Sequence, residues 1–388
     1  MSYQPLAGIR VLDLSRLLPG PFCTMLLAEM GAEVIKIETP LTGDYARMAP
    51  PHLGLGNIFE ATNRNKKSVA LNYRNARGRE IFLQLVKDAD VVFETFRPGA
   101  VKRWGIDYEA VRAVNPRVIY CSLSGYGQTG PYRDRAGHDL NYVGVGGLLA
   151  LNGVAGGPPV PPGVQIADLA GGMLAAIAML GALTNRERTG QGAYLDVAML
   201  DAVIAWVAPL LDAAFPGPGQ NPERGRMTLA GGLPCYNVYA TADGQFITLG
   251  ALEPNFWTTF CNAVERADLI PRQFEYDAIP EVAAIFRRQT REEWLARFQS
   301  VDACVEPVNS FAEVWHHPQV RHRGLIVEAA GQGGHIGSPF RSATSERASP
   351  APALGAHTRE LLKRIGLSDE EISELEAKGV VKSAQKGL

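Results

Sequence analysis

A chain of 388 residues is long enough for two or three domains at roughly 150 residues each, which excludes a short peptide or a single small module. With 46% apolar and 20% charged residues it has the composition of a folded globular protein, and 38 Lys plus Arg against 40 Asp plus Glu leave a formal charge of -2, so nucleic acid is not an expected partner. Five cysteines, Cys23, Cys121, Cys235, Cys261 and Cys304, show no CxxC spacing, which fits neither a disulfide framework nor a zinc site and points to a reducing, cytoplasmic compartment.

The opening MSYQPLAGIRVLDL lacks the basic segment, long apolar run and small-residue cleavage site of a secretory signal, and reads as the first turn and strand of the fold. Ile9 to Leu14 is strand-like, Pro21 to Met30 helical and Glu33 to Ile37 a second strand after Gly31, a βαβ unit. Pro21 suits a first helical turn and Gly31 a left-handed stop. Strand Ser68–Leu71, helix Gly78–Lys87, strand Val91–Phe93, helix Tyr108–Val114 and strand Val118–Ser122 continue the alternation, so the fold class is α/β with a mostly parallel sheet. Two helices follow, over Asp168–Arg188 and Leu195–Ala214. The apolar core of the first, Leu169–Leu183, is too short for a membrane span of about 20 residues. The breaker-rich FPGPGQNPERG then marks a boundary. Beyond it Tyr236–Ala240 and Gln245–Leu249 flank Thr241-Ala242-Asp243-Gly244, a hairpin signal. The expected organisation is a large α/β domain over 1–214, a linker over 215–227, a small α+β domain over 228–328 and a tail over 329–388 that returns to the large domain.

Two motifs are discounted. Gly125-Tyr126-Gly127-Gln128-Thr129-Gly130 matches G-x-G-x-x-G after a strand, but the following Pro131 to Gly137 is loop-like and no helix N-terminus stands ready for a pyrophosphate, so the glycines are read as shaping a turn. His316, His317 and His322 lie together without the carboxylate or cysteine pattern of a metal site and are read as surface residues. Neither G-x-S-x-G nor H-E-x-x-H occurs.

Three residues carry more chemistry. His138, in Gly137-His138-Asp139-Leu140-Asn141-Tyr142, precedes an apolar run that reads as a helix start, where an imidazole at the positive end of the dipole can serve as a neutral base. Asp168 opens the small-residue helix Leu169-Ala170-Gly171-Gly172-Met173; an aspartate there is commonly a cap, and the two glycines are expected to let a ligand approach the helix end. Glu253 follows the hairpin strand, a position more often solvated or capping.

Together with VLDLSRLLPGPFCTMLLAEMGAEVIKIE, NRNKKSVALN, FRPGAVKRWGID, GYGQTGPYRDRAGHDLNYVGVGGLLALNG, IADLAGG and RTGQGAYLDVAMLDAV, these residues resemble the class III coenzyme A transferase and α-methylacyl-CoA racemase superfamily over nearly the whole chain. GHDLNY, LEPNFW and DACVEPV are more similar to its racemase branch. The resemblance implies a Rossmann-like large domain without a nucleotide cofactor, a smaller domain and an interlocked homodimer. It implies His138 and Asp168 as the acid/base pair and Glu253 as the acid that orients the imidazole. Coenzyme A, as part of an acyl-CoA thioester substrate, would be held by Arg103, with Lys66 and Lys67 near its phosphates, Asp139 at the helix N-terminus that meets the thioester oxygen, and Tyr142 as a further binding residue; no metal or redox cofactor is implied. Thr39 stands where many relatives carry arginine after the acid of the second strand.

The residue types fit the reaction. Racemisation beside a thioester removes a weakly acidic proton on one face and returns one on the other, which takes two bases. The alternative is a CoA transferase in which Asp168 is a nucleophile forming covalent acyl and CoA intermediates and His138 is incidental.

Overall fold

The computed structural model describes residues 4–48, 58–214, 222–329, 333–340 and 349–384. From the N-terminus the elements are β1 (Arg10–Asp13), α1 (Pro19–Glu29), β2 (Glu33–Glu38), α2 (Ile58–Asn63), β3 (Lys67–Leu71), α3 (Ala76–Val86), β4 (Val91–Glu94), α4 (Ala100–Trp104), α5 (Tyr108–Val114), β5 (Ile119–Ser124), α6 (Asp139–Val145), α7 (Leu148–Leu151), α8 (Ile166–Thr189), β6 (Ala193–Ala198) and α9 (Met199–Ala214). There follow β7 (Tyr236–Ala240), β8 (Phe246–Gly250), α10 (Pro254–Ala263), α11 (Ile279–Phe286), α12 (Arg291–Phe298), β9 (Val305–Pro307), α13 (Phe311–His316), α14 (Pro318–His322), β10 (Ile326–Ala329), β11 (Gly333–Ile336), α15 (Thr358–Arg364), α16 (Asp369–Ala377) and β12 (Val381–Lys382).

Strands β1 to β6 pair in parallel in the order β3-β2-β1-β4-β5-β6, and β12 adds antiparallel to β3. β4 and β5 are buried along their whole length, as strands covered by helices on both faces must be. The order reverses between β1 and β4. The loops leaving their carboxyl ends therefore diverge and open a crevice, the place where sheets of this topology bind ligands.

One expectation is corrected here. Leu195 does not begin a helix: Ala193–Ala198 is strand β6, paired from Ile119↔Ala193 to Ser124↔Ala198, and α9 starts only at Met199. The open hydrogen-bonding edge of β5 captures the segment, and no glycine or proline separates the strand from the helix to signal the change.

Packing divides the chain into two units. The first comprises 1–146, 163–206 and 324–388, the second 147–162 and 207–323. Residues 147–162, expected in the large domain, thus belong with the second unit, where Arg224 donates to the carbonyls of Ala150 and Gly157. Residues 215–221 of the expected linker, 330–332 and 341–348 of the tail and the last four residues lie outside the described residues. In the first unit, Leu361 and Leu362 of α15 and Ile372 and Leu375 of α16 enter the core formed by β1 to β4, and the Thr358 hydroxyl donates to the Lys382 carbonyl at 2.7 Å. In the second unit β7, β8 and β9 form an antiparallel sheet over a core that includes Trp257, Phe260, Phe286 and Trp294. Gly244, at φ 73°, makes the β7–β8 turn.

Among the described residues α8 is the one helix long and apolar enough to suit a bilayer. Nearly half of its apolar stretch is buried, it packs on α1, β5 and β6, and Arg186 near its end pairs with Asp90, as befits a core helix.

Candidate active site

The β1 loop is set by buried charges. Asp13 accepts from the Ser15 hydroxyl at 2.5 Å and the Thr24 hydroxyl at 2.6 Å, and pairs with Lys66 Nζ at 3.2 Å. Lys36 Nζ pairs with Asp44 at 3.0 Å and donates to the Ser15 carbonyl, while Asp44 Oδ1 accepts from the Leu17 N–H. These bonds hold Leu17 at φ 64°, a left-handed conformation that a branched apolar residue adopts only under external constraint. Arg16 is thereby turned outward, its guanidinium 4.9 Å from the Phe96 ring centroid and 5.1 Å from that of Tyr45, with Nη2 donating to Tyr73 Oη at 3.0 Å.

The β4 loop starts at Glu94, a buried carboxyl that accepts from the Phe96 N–H at 2.6 Å. Burial raises its pKa to about 7 against the bonds from Ser122 and Phe96. Thr95 to Pro98 then border the crevice. After β5 the chain runs through turns from Gly125 to Gly137 before α6 begins, so the G-x-G-x-x-G match opens no helix. Gly125 and Gly137 are required by Tyr142: a Cβ would meet its ring at 2.5 and 2.7 Å respectively.

These loops enclose a cavity of about 520 Å³ lined by Arg16, Arg97, Arg133 and Arg135 together with Tyr126, His138, Tyr142 and Asp168. A second, more open cavity of about 800 Å³ shares Arg16 and Tyr45 and is bordered by Arg74, Glu376 and Lys382. Both lie at the carboxyl ends of the parallel strands.

His138 is the N-cap residue of α6, with extended backbone, and its N–H donates to Asn141 Oδ1 at 3.0 Å. Its side chain is exposed. Asp168 occupies the first turn of α8 and is half-buried. Burial, and after it the neighbouring Asp139 carboxylate, push its pKa up to about 7. Asp139 Oδ1 accepts from the N–H groups of Ala167 at 2.6 Å and Asp168 at 3.2 Å. Tyr142 is buried, packs edge-on to Tyr126 at 5.0 Å and donates to the Gly137 carbonyl at 2.5 Å; burial, and then the Asp168 carboxylate, raise its pKa to about 12. A carboxyl poised near neutrality and an imidazole on one cavity can exchange protons with a group held between them.

The expected residues are not all brought together. Lys66 is buried and spends its ammonium on Asp13, Thr24, Asn63 and the Pro21 carbonyl; it does not reach either cavity, and burial draws its pKa down to about 8. Lys67 lies at the amino end of β3, the edge away from the crevice, paired with Glu33 and Glu360. Arg103 stands exposed on α4 and lines neither cavity, although a Cβ at Gly99 would meet Arg133 at 3.4 Å and Arg103 at 3.7 Å. Glu253 is exposed at the start of α10 in the second unit. Gly171 and Gly172 do not face a ligand: a Cβ would meet Met199 Cγ at 2.7 Å and the Pro19 carbonyl at 2.6 Å, so they admit neighbouring elements instead. Sequence reasoning missed Arg16, Arg97, Arg133 and Arg135. All four follow the carboxyl ends of strands at or beside the reversal of strand order, which the βαβ pattern could have flagged.

The family model of CoA-transferase family III matches residues 6–358. The α-methylacyl-CoA racemase of Homo sapiens is 36% identical over 390 residues, covering 97% of this chain and 98% of that protein. The succinyl-CoA:glutarate CoA-transferase of Homo sapiens is 35% identical over 398 residues, covering 97% and 90%. The crystal structure of a CAIB/BAIF family protein from Brucella suis matches with a TM-score of 0.81 at 28% identity, covering 94% of this chain and 100% of that one.

Proposed function

The chain belongs to CoA-transferase family III, and from that premise we propose that it is a racemase or epimerase that interconverts the (2R) and (2S) forms of 2-methylacyl-CoA thioesters. The observation that carries this reading is that His138 and Asp168 line one cavity while the carboxyl sits at about 7, near the pH at which it must both give and take a proton. A nucleophilic aspartate, as the transferase reading needs, is better served by a fully ionised carboxylate. Relatives of both kinds match at similar identity, so the family alone does not choose between the reactions.

In the proposed cycle one of the two groups removes the proton beside the thioester carbonyl and the other delivers a proton to the opposite face. The thioester oxygen gains negative charge between these steps. The N–H groups that open α6, at Asp139 and Leu140, have no carbonyl within their own helix and are the donors proposed to meet it. The CoA portion is proposed to cross from the 520 Å³ cavity to the 800 Å³ one past Arg16, with Arg74 and Lys382 in place of Lys66 and Lys67 as cations for its phosphates. The exposed Met173 and Ile177 of α8 offer an apolar face to the expected homodimer. Glu253→Gln tests the orienting role that the motif resemblance implies for Glu253: kcat lower by about tenfold or more with KM little changed supports it, and an unchanged kcat removes it.

The test is to incubate a single-enantiomer 2-methylacyl-CoA with the protein in deuterated water without any free carboxylic acid. Deuterium entering at the α-carbon with loss of chirality is the expected result. No α-exchange, with CoA passing to added succinate by ping-pong kinetics, would establish the transferase.

A further inference from the structure

We propose that the Asp139 carboxylate is a positioning residue that locks the first turn of α8, and with it Asp168, to the segment that carries His138. α8 lacks a side-chain cap of its own: Gln165, its N-cap residue, supplies none. The N–H groups of Ala167 and Asp168, which no helical carbonyl can take, are met by Asp139 Oδ1 at 2.6 and 3.2 Å. The cap thus comes from the residue directly after His138, 28 and 29 positions away in the chain. Tyr142 supports the same joint, since its hydroxyl holds the Gly137 carbonyl just ahead of His138. The backbones bearing the imidazole and the carboxyl are therefore fastened to each other before substrate arrives, and neither can shift alone without breaking these bonds.

The same contact carries charge. Asp168 shares its cavity with Tyr142 of α6 and with Tyr126, His138 and Arg97 of the neighbouring loops, and Asp139 of α6 accepts its N–H. The elements packed on α8 carry the buried thiols Cys23 (α1) and Cys121 (β5), held protonated by burial, and Asp196 (β6), which accepts from the Gln128 N–H. Among these, Asp139 is the charge that lifts the Asp168 carboxyl beyond what burial does. Asp139 thus places the reacting carboxyl through its bonds to the first turn of α8 and adds to the larger effect of burial in raising the pKa of Asp168.

This inference rests on reading Asp168 as the reacting carboxyl, and it holds whether that carboxyl moves a proton or takes an acyl group. Asp139→Asn keeps the oxygen acceptor and removes the charge; Asp139→Ala removes both. In the full-length protein with ¹³C-labelled aspartate, the Asp168 carboxyl signal, assigned by its loss in Asp168→Asn, is expected to titrate near pH 7 in the native protein and about one pH unit lower in Asp139→Asn. For α-proton exchange, Asp139→Ala is expected to lose about tenfold to a hundredfold in kcat with KM little changed, and Asp139→Asn to recover most of that loss. An Asp168 titration identical in native protein and Asp139→Asn overturns the electrostatic half. Native kcat in Asp139→Ala, or equal losses in both variants that track only a lower melting temperature, overturns the positioning half. If the native protein exchanges no α-proton, the racemase reading fails, while the titration still decides the role of Asp139.

Discussion

Asp168 binds its proton more tightly in the folded protein, to about pH 7, than its ordinary value of 3.8 allows in the unfolded chain. As pH rises between those values the unfolded chain gives up the proton first, so folding stability falls from about pH 4 to about pH 7 and then levels. Asp168→Asn has no such proton to lose. It is expected to be more stable than the native protein at pH 8 by about 1–3 kcal/mol, allowing for partial solvation, with the gap closing near pH 4; denaturant melts at the two pH values check this, and equal stability at pH 8 contradicts it. Stability given up at a reacting group is what a site poised for proton transfer should show. His138 is the opposite case. Exposed at the start of α6, it can be changed to Ala with little effect on melting temperature but with loss of about a hundredfold or more in racemisation; full activity in His138→Ala removes the racemase reading.

α8 shows how helix packing delivers the carboxyl. Its start passes so close to α1 that a Cβ on Gly172 would stand 2.6 Å from the Pro19 backbone carbonyl, which cannot move aside as a side chain can. Gly172→Ala should therefore push the first turn of α8 away from α1, costing about 1–3 kcal/mol and lowering kcat through displacement of Asp168 one turn away. Calorimetry and kinetics on that variant check both effects, and a native melting temperature would show that the two helices have room to spare. Sequence reasoning reads this pair of glycines as space for a ligand because glycine says only that something comes close. What comes close is decided by the partner helix. The same holds for Leu195: its apolar neighbours suit a helix or a strand equally, and only the unpaired edge of β5 makes the segment β6.

The alternating strand and helix signals along the first two hundred residues make the α/β class and the mostly parallel sheet legible before any coordinates, whereas the order β3-β2-β1-β4-β5-β6, and with it the crevice, is fixed by strand pairing between distant segments. His138, Asp168 and Tyr142 meet at the cavity because the first turns of α6 and α8 adjoin, a contact only motif resemblance could anticipate. Lys66 and Lys67 mislead for a general reason: a lysine pair reads as solvated charge, yet burial beside Asp13 turns one of them into a structural ion. The return of the C-terminus is equally structural. Leu361, Leu362, Ile372, Leu375 and Val381 fill the core of the first unit, and losing them forfeits about 10 kcal/mol, of the order of a domain's whole stability. A chain ending at Pro352 should fail to fold, as circular dichroism will show; a cooperative native-like melt would contradict that. Two bases on opposite faces of one carbon can be separated by giving each enantiomer of a 2-methylacyl-CoA singly to His138→Ala and Asp168→Asn in deuterated water. Each variant is expected to exchange the α-proton of one enantiomer without inverting it, and the two variants to choose opposite enantiomers. Exchange of the same enantiomer by both, or inversion by either at the native rate, would contradict the two-base mechanism.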